Sequence, residues 1–151
     1  SDRPESDGTL RWDATIMVTV EMEAGGRQGF GYAYTDAGAL GLIRRKLADN
    51  IVGIDALDTP RCWSIMTRAI RNLGERGLAR MAVAAVDVAL WDLKAKLLGL
   101  PLASLLGRVR DQVPVYGSGG FTSYTVDELR EQLGGWAAAR PLPGRPATPR
   151  S

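Results

Sequence analysis

The 151-residue chain has no histidine and a single cysteine. Without an imidazole it cannot build a histidine–carboxylate acid/base pair. Cys62 on its own excludes an internal disulfide and leaves no thiol pair for zinc. It is read as a small, partly buried hydrophobe. Long apolar runs are missing as well. No run reaches the length that spans a bilayer, and no basic-then-apolar leader opens the sequence, so no membrane and a cytoplasmic location are expected. A basic stripe interleaved with aromatics is also absent. The last fifteen residues hold three arginines and no acid; taking them from 19 basic and 17 acidic residues leaves residues 1–136 at net −1. The basic pI belongs to that tail, and no nucleic-acid partner is expected.

What is present is ordinary for one globular domain: 45% hydrophobic and 24% charged residues over a length able to bury a core. The organising stretch is Met81 to Gly107. Fifteen of the twenty residues from Ala79 to Leu98 are apolar. Ala82, Ala85, Val86, Ala89, Leu90, Leu93 and Leu97 fall within a wedge of about 140° at helical spacing. Ala84, Val88 and Trp91 carry apolar surface to the far side, so the helix needs cover on several sides. Gly99 and Pro101 stop it.

Residues 1–13 are polar and turn-rich and read as a loop. Thr15 to Glu23 alternates as a half-buried strand, Gly25-Gly26 supplies a tight turn, and Gln28 to Tyr34 returns. Gly29 and Gly31 mark a bulge or a close backbone approach; a phosphate-cradling loop would need a following helix that is not there. A helical repeat then runs from Asp36, a plausible N-cap, through Leu40, Ile43, Leu47 and Ile51. Thr59-Pro60 opens the next helix, with threonine as cap and with Ile65, Met66, Ala69, Ile70 and Leu73 as its stripe, up to Gly74. Met66 and Met81 are read as core filler.

After the central helix, Gln112 to Gly117 reads as a short strand, edged by Pro114. Thr125 and Glu128 form a capping box for a helix ending at Gly134-Gly135. Two strands make a marginal sheet, so the hairpin is expected to lack a neighbour. The tail, residues 137–151, holds four of the eight prolines. It reads as disordered or polyproline-like, with a composition that also fits a GC-rich gene read out of frame.

The central stretch resembles the N-terminal signature of the mandelate racemase/muconate lactonizing enzyme family of the enolase superfamily. Small residues at Ala82, Ala84 and Ala85 precede Val86 and Asp87. Ala89-Leu90, Asp92, Leu93, Ala95 and Lys96 follow, and Pro101-Leu102, Leu105-Leu106 and Gly107 close the pattern. The resemblance covers about residues 9–136. It implies an α+β fold: an enolase-like capping domain over residues 1–108 (a β-hairpin, then helices), with residues 109–136 as the first strand and helix of an incomplete (β/α) barrel.

The resemblance implies Mg²⁺-dependent proton abstraction α to a carboxylate, in a hydroxy-acid or sugar-acid dehydratase or racemase that is often a homo-oligomer and binds a carboxylate-bearing small molecule. The family's acid/base lysines lie in a Lys-x-Lys at the end of the second barrel strand, and later strands carry its metal carboxylates. Here the only Lys-x-Lys is Lys94-Ala95-Lys96, inside the central helix. No catalytic residue, metal ligand or cofactor is therefore expected in this chain, which is read as an inactive N-terminal fragment lacking the family's first strand. Asp87 and Asp92 sit about 140° apart around the helix and do not converge. Asp87 is read as structural, and Asp92 as the ion-pair partner of Lys96. By position, Trp12 and Tyr34 are candidate walls of the substrate pocket, and Tyr116 and Ser118 are candidates at the strand end where barrels place their sites. The rival reading is a non-catalytic α+β interaction module that binds a partner through the exposed apolar helix face.

Overall fold

The computed structural model describes residues 4–6, 8–74 and 76–139 and divides into two compact units, residues 15–111 and residues 1–14 with 112–151. The tail expected over residues 137–151 lies outside the described residues from 140 on; its first three residues, 137–139, are helical instead.

In the first unit, strands β3 (Met17–Ala24) and β4 (Arg27–Tyr34) pair antiparallel in an unbroken register from Met17 opposite Tyr34 to Ala24 opposite Arg27. Gly25 and Gly26 both take positive φ, 55° and 69°, as a two-residue turn matched to strand twist requires. The alternation buries Val18 and Val20 from β3 and Gly29 and Gly31 from β4. Helix α4 (Leu78–Leu98) lies on that inner face. Its other flanks meet α1 (Gly38–Leu42) and α3 (Thr59–Ile70). Ala82, Val83, Ala85, Val86, Ala89 and Leu90 all lie in one buried cluster with Leu47, Met66 and Ile70. The helix ends where Gly99 turns left-handed at φ 65° and Leu100 N–H reaches back 2.9 Å to the Ala95 carbonyl.

The repeat from Asp36 is not one uniform helix. After α1 comes a π-helical turn (Ile43–Leu47), then α2 (Ala48–Ile51). The buried residues are Ala39, Ile43, Leu47 and Ile51, and Leu40 faces solvent. Spacings of four drift about 40° per step around a regular helix; a wider turn keeps them on one side. Asp36 does serve the helix start, accepting 2.7 Å from Gly38 N–H, although Ala37 holds the cap position. At α3 the cap is Asp58, which accepts from Arg61 N–H, not Thr59, which is fully buried inside the first turn. Of the two methionines read as core, Met66 is buried and Met81 is 45% exposed. Cys62 is buried, and desolvation pushes its thiol pKa up. A one-turn helix, α5 (Leu102–Leu105), follows Pro101.

In the second unit, residues read as loop contain two short strands, β1 (Glu5–Ser6) and β2 (Arg11–Trp12), paired antiparallel. Ser6 also takes part through its carbonyl, which accepts from Thr122 N–H at 2.9 Å. The expected strand at 112–117 is not formed. β-branched composition favours extended backbone, but a barrel strand is defined by hydrogen bonds to neighbours, and residues 112–117 have no ladder partner among the described residues. The capping box stands: Glu128 N–H reaches Thr125 Oγ1 at 3.3 Å and Thr125 N–H reaches Glu128 Oε2 at 2.7 Å. Thr125→Ala should cost α6 (Val126–Ala139) about 1 kcal/mol, read as faster exchange of its first-turn amides. That helix runs on through Gly134-Gly135, carrying Trp136 against the backbone of Gly117 and Gly119. No helix among the described residues is long and apolar enough to cross a membrane.

Candidate functional site

The hairpin is held by α4 in two ways. The first is direct backbone approach. A Cβ built on Gly31 would stand 2.1 Å from the Ala85 carbonyl oxygen, and one on Gly29 2.3 Å from that of Ala89. Ala85 and Ala89 on the helix and glycines on the strand thus let the two backbones approach closely, and the paired ladder has no bulge there. The second is polar. Asp92 Oδ2 accepts from Lys96 Nζ at 2.7 Å and from Phe30 N–H at 2.8 Å, while Lys96 Nζ donates to the Gln28 carbonyl at 2.9 Å. The i,i+4 ion pair expected from sequence is there, and it also covers the outer edge of β4, whose open amide would otherwise invite another strand. Strand β4, which ends at Tyr34, is therefore fixed along both its face and its edge.

The two helix carboxylates titrate in opposite directions. The hydrogen bond from Lys96, helped by the Phe30 amide, holds Asp92 below the ordinary carboxylate range. Burial pushes Asp87 above it. By linkage, the Asp92 contribution is present above about pH 4 and lost as pH falls through its lowered folded value. Asp87 carries the opposite sign: the folded state disfavours its charge, so its penalty is present at neutral pH and fades as pH falls through its raised folded value. Asp87→Asn should therefore raise stability at pH 7, with the gain vanishing in acid. Urea unfolding at the two pH values checks this; a loss of stability at pH 7 would mean the carboxylate makes a needed contact.

Lys94 and Lys96, the only Lys-x-Lys, are both engaged inside the fold. Lys94 Nζ donates to the Leu57 carbonyl at 2.7 Å and stands 5.2 Å from the Trp91 ring centre. Neither is presented as a free base. Among the described residues no group of three or more histidine, cysteine, aspartate or glutamate side chains is gathered to hold a metal ion. Asp92, moreover, is already neutralised by Lys96. The residues here do not fit a Mg²⁺ site, and no step through a metal is derived for them.

The four candidate substrate-binding residues fall in the two units. Tyr34, in the first, is 65% exposed at the end of β4, edge-to-face with Tyr32 at 6.0 Å. Tyr32 in turn lies 6.1 Å from Phe30, so Tyr34 ends an aromatic row along one strand face. The row is visible in sequence as three aromatics at spacing two, a signal overlooked when only the terminal tyrosine is considered. In the second unit Trp12 packs edge-to-face on Phe121 at 5.8 Å, and Phe121 packs on Tyr124 at 5.5 Å. Tyr116 is 92% exposed and lines an open groove of about 850 Å³ with Val113, Val115 and Trp136. Ser118 is exposed two residues further on.

Residues 7–107 match the sequence model of the mandelate racemase / muconate lactonizing enzyme, N-terminal domain. The chain belongs to this family. A mandelate racemase/muconate lactonizing enzyme-like protein from Rubrobacter xylanophilus has a crystal structure that superposes with TM-score 0.84 at 59% identity, covering 92% of this chain and 39% of that one. L-talarate/galactarate dehydratase of Salmonella typhimurium is 36% identical over 125 residues, 80% of this chain and 31% of that protein. L-Talarate dehydratase from Polaromonas sp. JS666, crystallised with Mg and L-glucarate, superposes with TM-score 0.75 at 35% identity, covering 90% and 39%. The chain thus spans between three- and four-tenths of the length of these family members. The match places the hairpin and α4 in the family's N-terminal domain, and the α+β architecture agrees with it.

Proposed function

We propose that this chain forms the capping part of a Mg²⁺-dependent sugar-acid or hydroxy-acid dehydratase or racemase that removes a proton α to a carboxylate. The observation that carries the reading is the family match over residues 7–107, together with the identity to dehydratases of six-carbon sugar diacids. In this role the chain's own residues bind and enclose rather than transfer protons. Tyr34, held at the end of a strand clamped by α4, would stand against the substrate and exclude water. In the other unit, Trp12, seated on Phe121, is a separate candidate for substrate contact. Tyr116 and Ser118 contribute polar contacts to the substrate.

The chain by itself is proposed to be catalytically silent, because its lysine pair is engaged in holding the fold and no carboxylate cluster is gathered among the described residues. The test is an assay of the purified chain with Mg²⁺ and a panel of sugar acids. No dehydration or racemisation is expected; Mg²⁺-dependent turnover would overturn the assignment of a purely enclosing role.

A further inference from the structure

Beside strand β3, wholly within residues 15–111, lies a cavity of about 310 Å³. Met22 walls it from β3, Ile43 from the π-helical turn, Ile51 from α2, Cys62 from α3, and Leu90 and Leu93 from α4. All of these but Met22 are buried, so the core beneath fixes the floor. The loop after α2 closes one side through Val52, Ile54 and Ala56. The protein's own hydrogen bonds hold that loop: Lys94 Nζ donates to the Leu57 carbonyl at 2.7 Å, and Leu57 N–H donates to Asp55 Oδ1 at 2.9 Å. The walls are thus in place before any ligand arrives, and little ordering cost remains on binding.

The rim supplies polar groups. Thr35 N–H donates to the Ile16 carbonyl at 3.0 Å, and the register carries this pairing in steps of two, so Val18, Val20 and Met22 exchange backbone hydrogen bonds with β4. Glu21 and Glu23 line the cavity and alternate with them. Their N–H and C=O groups therefore face away from β4, where β3 has no ladder partner among the described residues. No lysine or arginine among the described residues lines the cavity. Small-molecule sites combine apolar walls with a few such polar groups. A dry apolar cavity of roughly 150 Å³ takes one benzene, and this one has about twice that room. We propose that the cavity binds a neutral, flat, largely apolar molecule of two fused rings, with one donor or acceptor atom directed at the free backbone of Glu21 or Glu23. An anion is refused, because it would meet two glutamates and no cation. Sugar acids are anions, so this inference is independent of the enzymatic reading above.

The test is titration of the full, isotope-labelled chain with indole, a neutral two-ring probe with one N–H donor, followed by amide chemical shifts. Indole should bind saturably, one per chain, with the shifts centred on Glu21, Glu23, Val52 and Cys62. Indole-3-carboxylate, the same body with a charge, should bind about tenfold more weakly or worse. Ala56→Phe fills the cavity from its loop wall and should weaken indole binding about tenfold or more while the thermal melt shows a folded chain. If that variant fails to fold, Ala48→Leu, at a half-buried lining position, should weaken binding in the same direction. Absent or unsaturable shifts overturn the proposal. So do shifts centred elsewhere, binding that persists undiminished in a folded filled variant, or carboxylate binding as tight as that of indole. Capture of an extended apolar peptide along β3 without any binding of indole would give the cavity to an added strand and equally overturn it.

Discussion

Gly31→Ala is expected to destabilise residues 15–111 by about 3 kcal/mol or more, from a single added methyl group. The new Cβ would stand 2.1 Å from the Ala85 carbonyl oxygen and 2.7 Å from Ala89 N. Both are helix backbone atoms, and neither can swing aside as a side-chain end can. Relief requires the hairpin to lift from α4, which pulls Val18 and Val20 out of the core and lengthens the Asp92 hydrogen bond to Phe30. Gly41→Ala is the control. That position lies in α1 with open space around the added Cβ, and the exchange should stabilise by about 0.4–1 kcal/mol. Urea unfolding of the two variants compares them directly. Equal, small effects would mean that hairpin and helix are not in backbone contact.

Met66→Ala should cost about 2–5 kcal/mol, whereas Met81→Ala should stay within about 0.5 kcal/mol. Both methionines read alike in sequence, as apolar residues at helical spacing. Met66 lies wholly inside the cluster formed by α3, α4 and the π turn, so truncation leaves a cavity walled by residues that are themselves fixed. Met81 is 45% exposed on α4, and truncation there opens no void. Guanidinium unfolding monitored by tryptophan fluorescence measures both. A large loss at Met81 would show that this flank of α4 is covered in solution.

Much of the fold was legible because its signals are local. Strict alternation with Gly25-Gly26 identifies the hairpin, and an almost uniformly apolar stretch closed by Gly99 and Pro101 identifies α4. The capping box at Thr125 and Glu128 needs only four residues. What escaped the sequence depends on partners far away in the chain. Asp92 was visible as the partner of Lys96, but its bond to Phe30 spans 62 positions and follows only once the helix lies along β4. The strand expected at 112–117 had the right composition but finds, among the described residues, none of the neighbours that make a strand. Helix α6 passes through Gly134-Gly135, usually a stop, because Trp136 finds a seat on Gly117 and Gly119. At α3 two adjacent cap formers competed: Asp58 took the cap and Thr59 was buried, a choice made by packing.

The candidate site was legible only in part. The family follows from the α4 signature, and the candidacy of Tyr34 from its place at the end of the hairpin. The aromatic row leading to it, and the carboxylate–lysine clamp that holds its strand, became apparent with the structure.

The most direct test of the capping role exchanges the corresponding segment of the Salmonella typhimurium L-talarate/galactarate dehydratase for residues 7–107 of this chain and measures Mg²⁺-dependent dehydration of galactarate. The chimera is expected to turn over, and Tyr34→Ala within it to raise KM more than it lowers kcat, as loss of a binding wall requires. A folded, Mg²⁺-loaded chimera with no turnover, or one indifferent to Tyr34→Ala, would contradict the account.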